Sequence, residues 1–188
     1  MSWSTVSAQD LAPQRWKNGG GWTRELLAWP RPDQWLLRIS VADIEADGPF
    51  SAFPGIDRWF GVLQGGGVEL LGRELRCGDG LLAFDGALAP DCRLLDGMTR
   101  DFNLMHRRGR GRVEVVPADR ALLPEGVQWL GLFTAWDGVL SHGGRSMNLA
   151  PMSLAWCEAP VAQRCAFNSP TPGTAWWLVL KDDAGEQA

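Results

Sequence analysis

Tyrosine is absent from this chain of 188 residues, although tryptophan occurs 11 times. Lysine is nearly absent too: of 18 basic residues, only Lys17 and Lys181 are lysine. There are only two histidines, His106 and His142, and neither lies near a cysteine in the sequence, which argues against a zinc site. The four cysteines, Cys77, Cys92, Cys157 and Cys165, form no CxxC pair and read as reduced, half-buried apolar side chains. No apolar run reaches the roughly 18 residues a membrane span needs. No Lys/Arg run occurs, and a net charge of -4 gives no general pull toward nucleic acid. The opening MSWSTVSAQD has no positive segment followed by an apolar one, so no secretory signal is expected. These absences lead to the expectation of a cytoplasmic protein without nucleic-acid or membrane partners.

What is present is β texture. Apolar residues make up 45% of the chain, enough for a sizeable core. Short apolar runs alternate with turn residues every 8–12 positions, and no long stretch has helical period. Strands are expected at 22–29, 35–44, 59–64, 67–71, 81–85, 92–97, 100–107, 112–118, 127–136, 138–142, 153–158 and 174–182. One short helix candidate lies in PADRALLPEG, within a middle segment that could connect two β units. WFGVLQG and WWLVLKD could be equivalent strands of such units. The polar tail DDAGEQA reads as frayed. Chains of this kind close into barrels or jelly rolls, because open sheet edges invite aggregation.

The segment RWKNGGGWTRE places three glycines next to Lys17. A phosphate loop needs its lysine after the glycines and a helix following. Here the lysine precedes them and a strand, WTRELLAW, follows, so order and context both exclude it. Two readings remain: a tight turn or bulge that needs glycine backbone, or a loop that carries Lys17 and Asn18, with Thr23 or Arg24, to a pocket mouth.

The motifs WKNGGGWTRE (16–25), WLLRISVADI (35–44), DGPFSAFPGIDR (47–58), VLQGGG (62–67), FDG (84–86), LLDG (94–97) and RDFNLMHRR (100–108) are collinear. In them the chain resembles the HutD/Ves family of the cupin superfamily, over roughly residues 15–108. The resemblance implies an all-β, RmlC-like cupin jelly roll in a bicupin arrangement of two small β-barrels. A first barrel is expected over 1–110 and a second β unit over 111–188, packed on the first, with room for strand exchange. The resemblance also implies a regulatory role in histidine utilisation, binding an anionic metabolite such as formylglutamate or urocanate. No cofactor is expected, and a homodimer is an open possibility.

The metal pattern of cupins can be laid on these residues. Its first motif ends in a glutamate, six residues and a glycine; here Arg58 and Gly65 hold that spacing. The histidine slots fall among Ser51, Ala52, Phe53 and Pro54. The second motif, started at Gly78, reaches Phe84-Asp85-Gly86 and puts Ala89 in its histidine slot. All the ligand positions are lost, and one carboxylate has become a guanidinium. A metal ion would be repelled there, whereas a carboxylate would be welcomed. Arg58 could instead make a structural ion pair with Asp57 or another carboxylate.

Strand alternation puts Asp101, Asn103 and Met105 on one face of RDFNLMHRR, with Phe102, Leu104 and His106 on the other. The first set makes a polar wall, or an Asp and Asn satisfied by backbone. Arg38 and Ser40 share one face of their strand, facing either a pocket or the outside. Phe50 and Phe53 are expected to plug a barrel end, with Ser51 offering a hydroxyl. His106 reads as a core or interface residue and His142 as part of a Gly-rich turn. The expected ligand contacts are Lys17, Asn18, Arg24, Arg38, Phe50, Ser51, Arg58, Asp101, Asn103 and Met105, with no metal. The rival reading is a metal-independent isomerase or hydrolase with Asp101 as its acid or base. A protein-binding module is a third possibility, since Trp favours interfaces, although most of the tryptophans are expected in the cores.

Overall fold

The computed structural model describes residues 2–171 and 173–182. Its strands are β1 (Ser4–Ser7), β2 (Gln14–Arg15), β3 (Gly21–Trp29), β4 (Leu37–Ile44), β5 (Gly48–Pro49) and β6 (Ile56–Gly65). Next come β7 (Val68–Leu70), β8 (Arg73–Leu75), β9 (Leu82–Asp85), β10 (Asp91–Leu94), β11 (Thr99–Arg107) and β12 (Arg112–Pro117). The last are β13 (Val127–Thr134), β14 (Gly138–His142), β15 (Arg145–Leu149), β16 (Ser153–Glu158), β17 (Cys165–Asn168) and β18 (Ala175–Lys181). The fold is all-β; the sole helical turn among the described residues is a 3-10 turn at Ala8–Asp10. Among the described residues no helix is long and apolar enough to cross a membrane.

The helix expected in 117–126 does not form. That stretch is irregular and holds one isolated bridge, Leu122 to Cys165. Pro117 and Pro124 leave too few residues between them for a helical nucleus to be repaid by hydrogen bonds. Short strands at 4–7, 14–15, 48–49, 73–75, 145–149 and 165–168 escape the sequence pattern, because two to five residues give little alternation to detect. The tail from 183 onward lies outside the described residues.

The chain divides into two compact units. One is residues 11–108; the other joins residues 1–10 to 109–188. The first ten residues therefore belong with the C-terminal segment, because β1 pairs antiparallel with β16 from Ser4–Trp156 to Ser7–Ser153. In the 11–108 unit a six-stranded sheet runs β2-β3-β4-β11-β6-β9, and a four-stranded sheet runs β5-β10-β7-β8. Both are open sheets, not one closed barrel. Their shared core takes Ile44, Phe60 and Val62 from the first and Val68, Leu70, Leu75 and Cys92 from the second. The other unit repeats the design with sheets β1-β16-β13-β18-β12 and β15-β14-β17. There Leu130, Leu132, Ala155, Trp177 and Val179 pack with Leu140, Leu149, Cys165 and Phe167. Only Trp129, Trp176 and Trp177 are buried; the other eight tryptophans are half-buried, so most of them lie outside the cores, contrary to expectation.

The two glycine triplets have different tasks. Gly65, Gly66 and Gly67 end β6 against other backbone: a Cβ on each would lie 2.3, 2.0 and 2.5 Å from carbonyl oxygens of Met98, Asp96 and Leu75. Gly65 and Gly67 also need positive φ, 93° and 95°. In the triplet at 19–21, Gly19 needs φ of 75° and a Cβ on Gly21 would meet the Asp43 carbonyl at 2.3 Å. Gly20 is different: its Cβ would come no closer than 3.5 Å to any other atom, and its φ is ordinary. Gly66→Ala should therefore destabilise the protein by about 1–3 kcal/mol or more, while Gly20→Ala should be neutral or stabilise by up to ~1 kcal/mol. Urea unfolding of the two variants checks this; equal midpoints would contradict it.

Candidate functional site

The antiparallel register across the six-stranded sheet builds the site row by row. Ala28, Arg38, Met105, Arg58 and Phe84 lie side by side on β3, β4, β11, β6 and β9. The next row is Glu25, Ser40, Asn103, Phe60 and Leu82; the third includes Thr23, Ala42, Asp101 and Val62. Residues directly opposite one another point to the same face. This is the face that carries Phe60 and Val62 into the core, so one end of it is apolar packing and the other is polar. Over the polar end lies a cavity of about 540 Å³, closed from the other side by the Phe50–Phe53 segment.

Arg58 is the centre of this wall. It is only 4% exposed, although it is charged. Its guanidinium carbon lies 5.2, 5.6 and 5.0 Å from the ring centroids of Phe50, Phe53 and Phe84. Desolvated cation–ring contacts of this kind contribute up to about 2 kcal/mol each. Nη2 donates to Asn103 Oδ1 at 3.1 Å and Nη1 to the Ser51 carbonyl at 3.5 Å, while Nε is buried without a partner. The alternative of a structural ion pair with Asp57 is not realised: Asp57 pairs with Arg108 at 2.6 Å, and Arg108 also holds Asp85 at 2.7 Å. Burial pulls the Arg58 pKa down to about 10, against a raising pull from Asp101, and the group stays cationic at neutral pH.

Asp101 is 1% exposed, and its Oδ1 has no partner. Burial pushes its pKa up to about 8; Arg58 and a hydrogen bond from Asn103 act against the rise. Asn103 thus bridges the two buried charged groups, accepting from Arg58 and donating to Asp101. The partners of Asp101 and Asn103 are thus neighbouring side chains on the cavity wall, and Asp101 is satisfied only in part, since its Oδ1 stays unpartnered. Arg38 faces the cavity, which resolves the choice left by the sequence, but its Nε donates to Glu25 at 2.6 Å. Its charge is already matched.

The turn at Trp16–Gly21 supplies the mouth. Gly19 N donates to the Trp16 carbonyl at 3.0 Å, and Gly20 N donates to Asn18 Oδ1 at 3.0 Å, so Asn18 caps its own turn. Lys17 and Asn18 line the cavity from this exposed position. Phe50 packs edge-on to Trp16, with ring centroids 6.3 Å apart at 89°. Phe50, Ser51 and Met105 line the cavity too.

Arg24 does not belong with them. Thr23 points inward, and Arg24, paired with Val41, points to the opposite face. There it binds Asp43 at 2.7 Å, with Arg100 on the other Asp43 oxygen at 2.6 Å. Strand alternation makes the two positions exclusive, and Thr23 takes the inner one, accepting from Trp16 Nε1 at 2.7 Å. Ser40, left undecided with Arg38, and Phe53, expected at a barrel end, both line the cavity; the sequence reading missed Trp16 as a lining residue and Phe84 as part of the aromatic cage. Phe84 was detectable in principle, because it occupies the proline slot of the second metal motif. His106 is buried on the far face of β11, and His142 lies in the other unit with its ring 5.5 Å from Trp3. Among the described residues no three His, Cys, Asp or Glu side chains come together to hold a metal.

Asp101 gives the site a pH signature. An unfolded aspartate titrates near ~3.9, whereas folded Asp101 titrates at about 8. Between these values the folded protein keeps a proton that the unfolded chain has released, so this group's contribution to stability falls as pH rises through the window. The melting temperature of Asp101→Asn should exceed that of the wild type by an amount that grows from pH 4 to pH 8 and then levels off. Parallel thermal melts across pH check this; a constant difference would contradict it.

The HutD family model matches residues 8–175. A 21.2 kDa Pseudomonas putida protein described as lying in the hutC 3' region is 42% identical over 117 residues, 58% of this chain and 61% of that one. Protein Ves of Cronobacter sakazakii is 39% identical over 110 residues, 56% of this chain and 61% of that one. The matches thus span about three fifths of these two relatives. The solved structure of HutD from Pseudomonas fluorescens SBW25 superposes with a TM-score of 0.80 at 26% identity, covering 97% of this chain and all of that one. A cupin 2 barrel-domain protein from Leptotrichia buccalis superposes at 0.54 with 12% identity over 95% of this chain and 96% of its own, a likeness of fold alone. The β sandwich is therefore cupin-like, and with the family match extending from residue 8 to residue 175 the chain belongs to the HutD family.

Proposed function

We propose that this protein is a metal-free bicupin that binds a small carboxylate metabolite of histidine breakdown, such as formylglutamate or urocanate, and acts in regulation rather than turnover. The observation that carries this reading is Arg58: a buried cation with an unpartnered Nε, facing a cavity, in the position of a metal cupin's glutamate ligand. The wall does not fit a metal ion, since a guanidinium stands where a carboxylate would be needed. It does fit an anion, which supplies the acceptor Nε lacks, in a water-poor setting that strengthens the pair. Lys17 at the mouth would draw the ligand in, Asn18 and Asn103 would meet its polar groups, and Phe50 and Met105 would pack its apolar part. The bicupin arrangement is supported by the repeated two-sheet design and by β6 and β18, each second from an edge of its larger sheet. The names of the relatives from P. putida and P. fluorescens support the link to histidine utilisation.

A second reading rests on Asp101. A carboxyl neutral at pH 7 within a cavity is suited to general acid–base chemistry, which would make the protein a metal-independent isomerase or hydrolase. Product formation from either metabolite by the wild type, lost in Asp101→Asn, would favour it.

Titration calorimetry with formylglutamate and urocanate tests the binding reading. A ligand of about a dozen heavy atoms should bind with a dissociation constant in the mM to μM range. Arg58→Met, which keeps most of the volume and removes the charge, should weaken binding by about 10- to 100-fold, the value of a charged hydrogen bond. Unchanged affinity in that variant, or no binding by the wild type, would overturn the proposal.

A further inference from the structure

Two polar side-chain atoms in the cavity wall are buried without a partner, and both belong to charged residues: Arg58 Nε and Asp101 Oδ1. A buried guanidinium and a buried carboxyl one strand apart would ordinarily close on each other as an ion pair. Here they do not. Asn103 stands between them, accepting from Arg58 Nη2 at 3.1 Å and hydrogen-bonding Asp101. Each group is thus held in place with one atom left over, and both atoms belong to residues of the same cavity wall.

Which ligand group satisfies both depends on charge. The charged and titratable groups around Asp101 are few. On β6 there is Arg58; on β4, Arg38 and Asp43; on β10, Cys92; at the mouth, Lys17 and Arg15, the latter paired with Glu45. Arg38 is matched by Glu25, and Asp43 by Arg24 and Arg100. The Cys92 thiol is pushed up to about 12 by burial and stays neutral. With Asp101 ionised, the base of the cavity would carry no net charge, and a ligand carboxylate would face another carboxylate. With Asp101 protonated, the base carries the single positive charge of Arg58 and two donors without a partner, the complement of one carboxylate.

We propose that Asp101 is a specificity-determining residue that carries a proton when ligand binds: one oxygen of the ligand carboxylate accepts from Arg58 Nε–H and the other from Asp101 Oδ1–H. The anion is therefore held together with one proton. This rests on the reading of Arg58 as the anion clamp and adds a selection rule to it. A carboxylate head group is taken at neutral pH and lost in alkali. A primary amide, which accepts at Arg58 and donates to an ionised Asp101, gains where the carboxylate loses. The position of Asp101's titration, about 8, puts the change within reach of experiment.

Benzoate and benzamide serve as probes, since neither titrates between pH 6.5 and pH 9. Calorimetry of the wild type should show benzoate affinity falling about tenfold between these pH values, as one linked proton requires, while benzamide affinity does not fall. At pH 9, comparing phosphate with Tris buffer should reveal close to one proton taken up per benzoate bound. In Asp101→Asn, whose side chain donates without titrating, benzoate affinity should be independent of pH. The proton count needs no variant, so it decides the matter even if Asp101→Asn fails to fold. Constant wild-type affinity with no proton uptake would overturn the proposal, as would a variant that keeps the pH dependence. If Arg58→Met abolishes benzoate binding while pH has no effect, only the role of Asp101 fails. If Arg58→Met leaves binding intact, the clamp fails first. No benzoate binding at either pH overturns both.

Discussion

A buried guanidinium held by aromatic rings in place of a carboxylate is the constraint on which the 11–108 unit depends. Removing Arg58 from water costs several kcal/mol, and no ion pair among the described residues offsets that cost. Three phenylalanine rings, one amide and one distant carbonyl share the task. This accounts for the phenylalanines around it. Phe50 and Phe53 come from the loop after β5, and Phe84 is brought in beside Arg58 by the β6–β9 pairing. It also explains why Asn103 lies opposite Phe60, within reach of the cation's fork.

The rest of the unit serves to hold that wall still. The six-stranded sheet places each polar residue by register, and the same rows that end in Arg58 and Asn103 continue into the apolar core. Polar wall and apolar core are therefore built on the same strands, the arrangement that a site with fixed donors needs. The glycines of 65–67 end β6 where its backbone must pass close to three other carbonyls. The turn at 16–21 lines the mouth. On the far face of the sheet, Arg24 and Arg100 each take one oxygen of Asp43.

Much of this was legible in the chain before any coordinates. The spacing of Arg58 and Gly65 against a metal motif identified the central residue, because sequence distance along one strand and turn is preserved when ligands are replaced. Period-two alternation assigned Asp101, Asn103 and Met105 to one face, because β11 is a regular central strand there. The same rule left Thr23 and Arg24 undecided, since a strand shows its two faces but not which one is inward. Register supplied that answer. Phe84 and Trp16 were missed for a related reason: they meet Arg58 and Phe50 across strands and turns, and cross-strand partners leave no local mark. The pairing of β1 with β16 joins residues some 150 positions apart, and four residues carry too little pattern to announce it.

The central claim is that the cavity accepts a carboxylate on Arg58 in place of a metal. A crystal soaked in 4-bromobenzoate tests it most directly, because bromine's anomalous signal locates the probe independently of the protein phases. The account predicts one bromine site inside the cavity, with the probe's carboxylate within hydrogen-bond distance of Arg58 Nε and Asp101 Oδ1. A cavity without bromine, or a probe lodged with its ring against Arg58 and its carboxylate toward solvent, would contradict it.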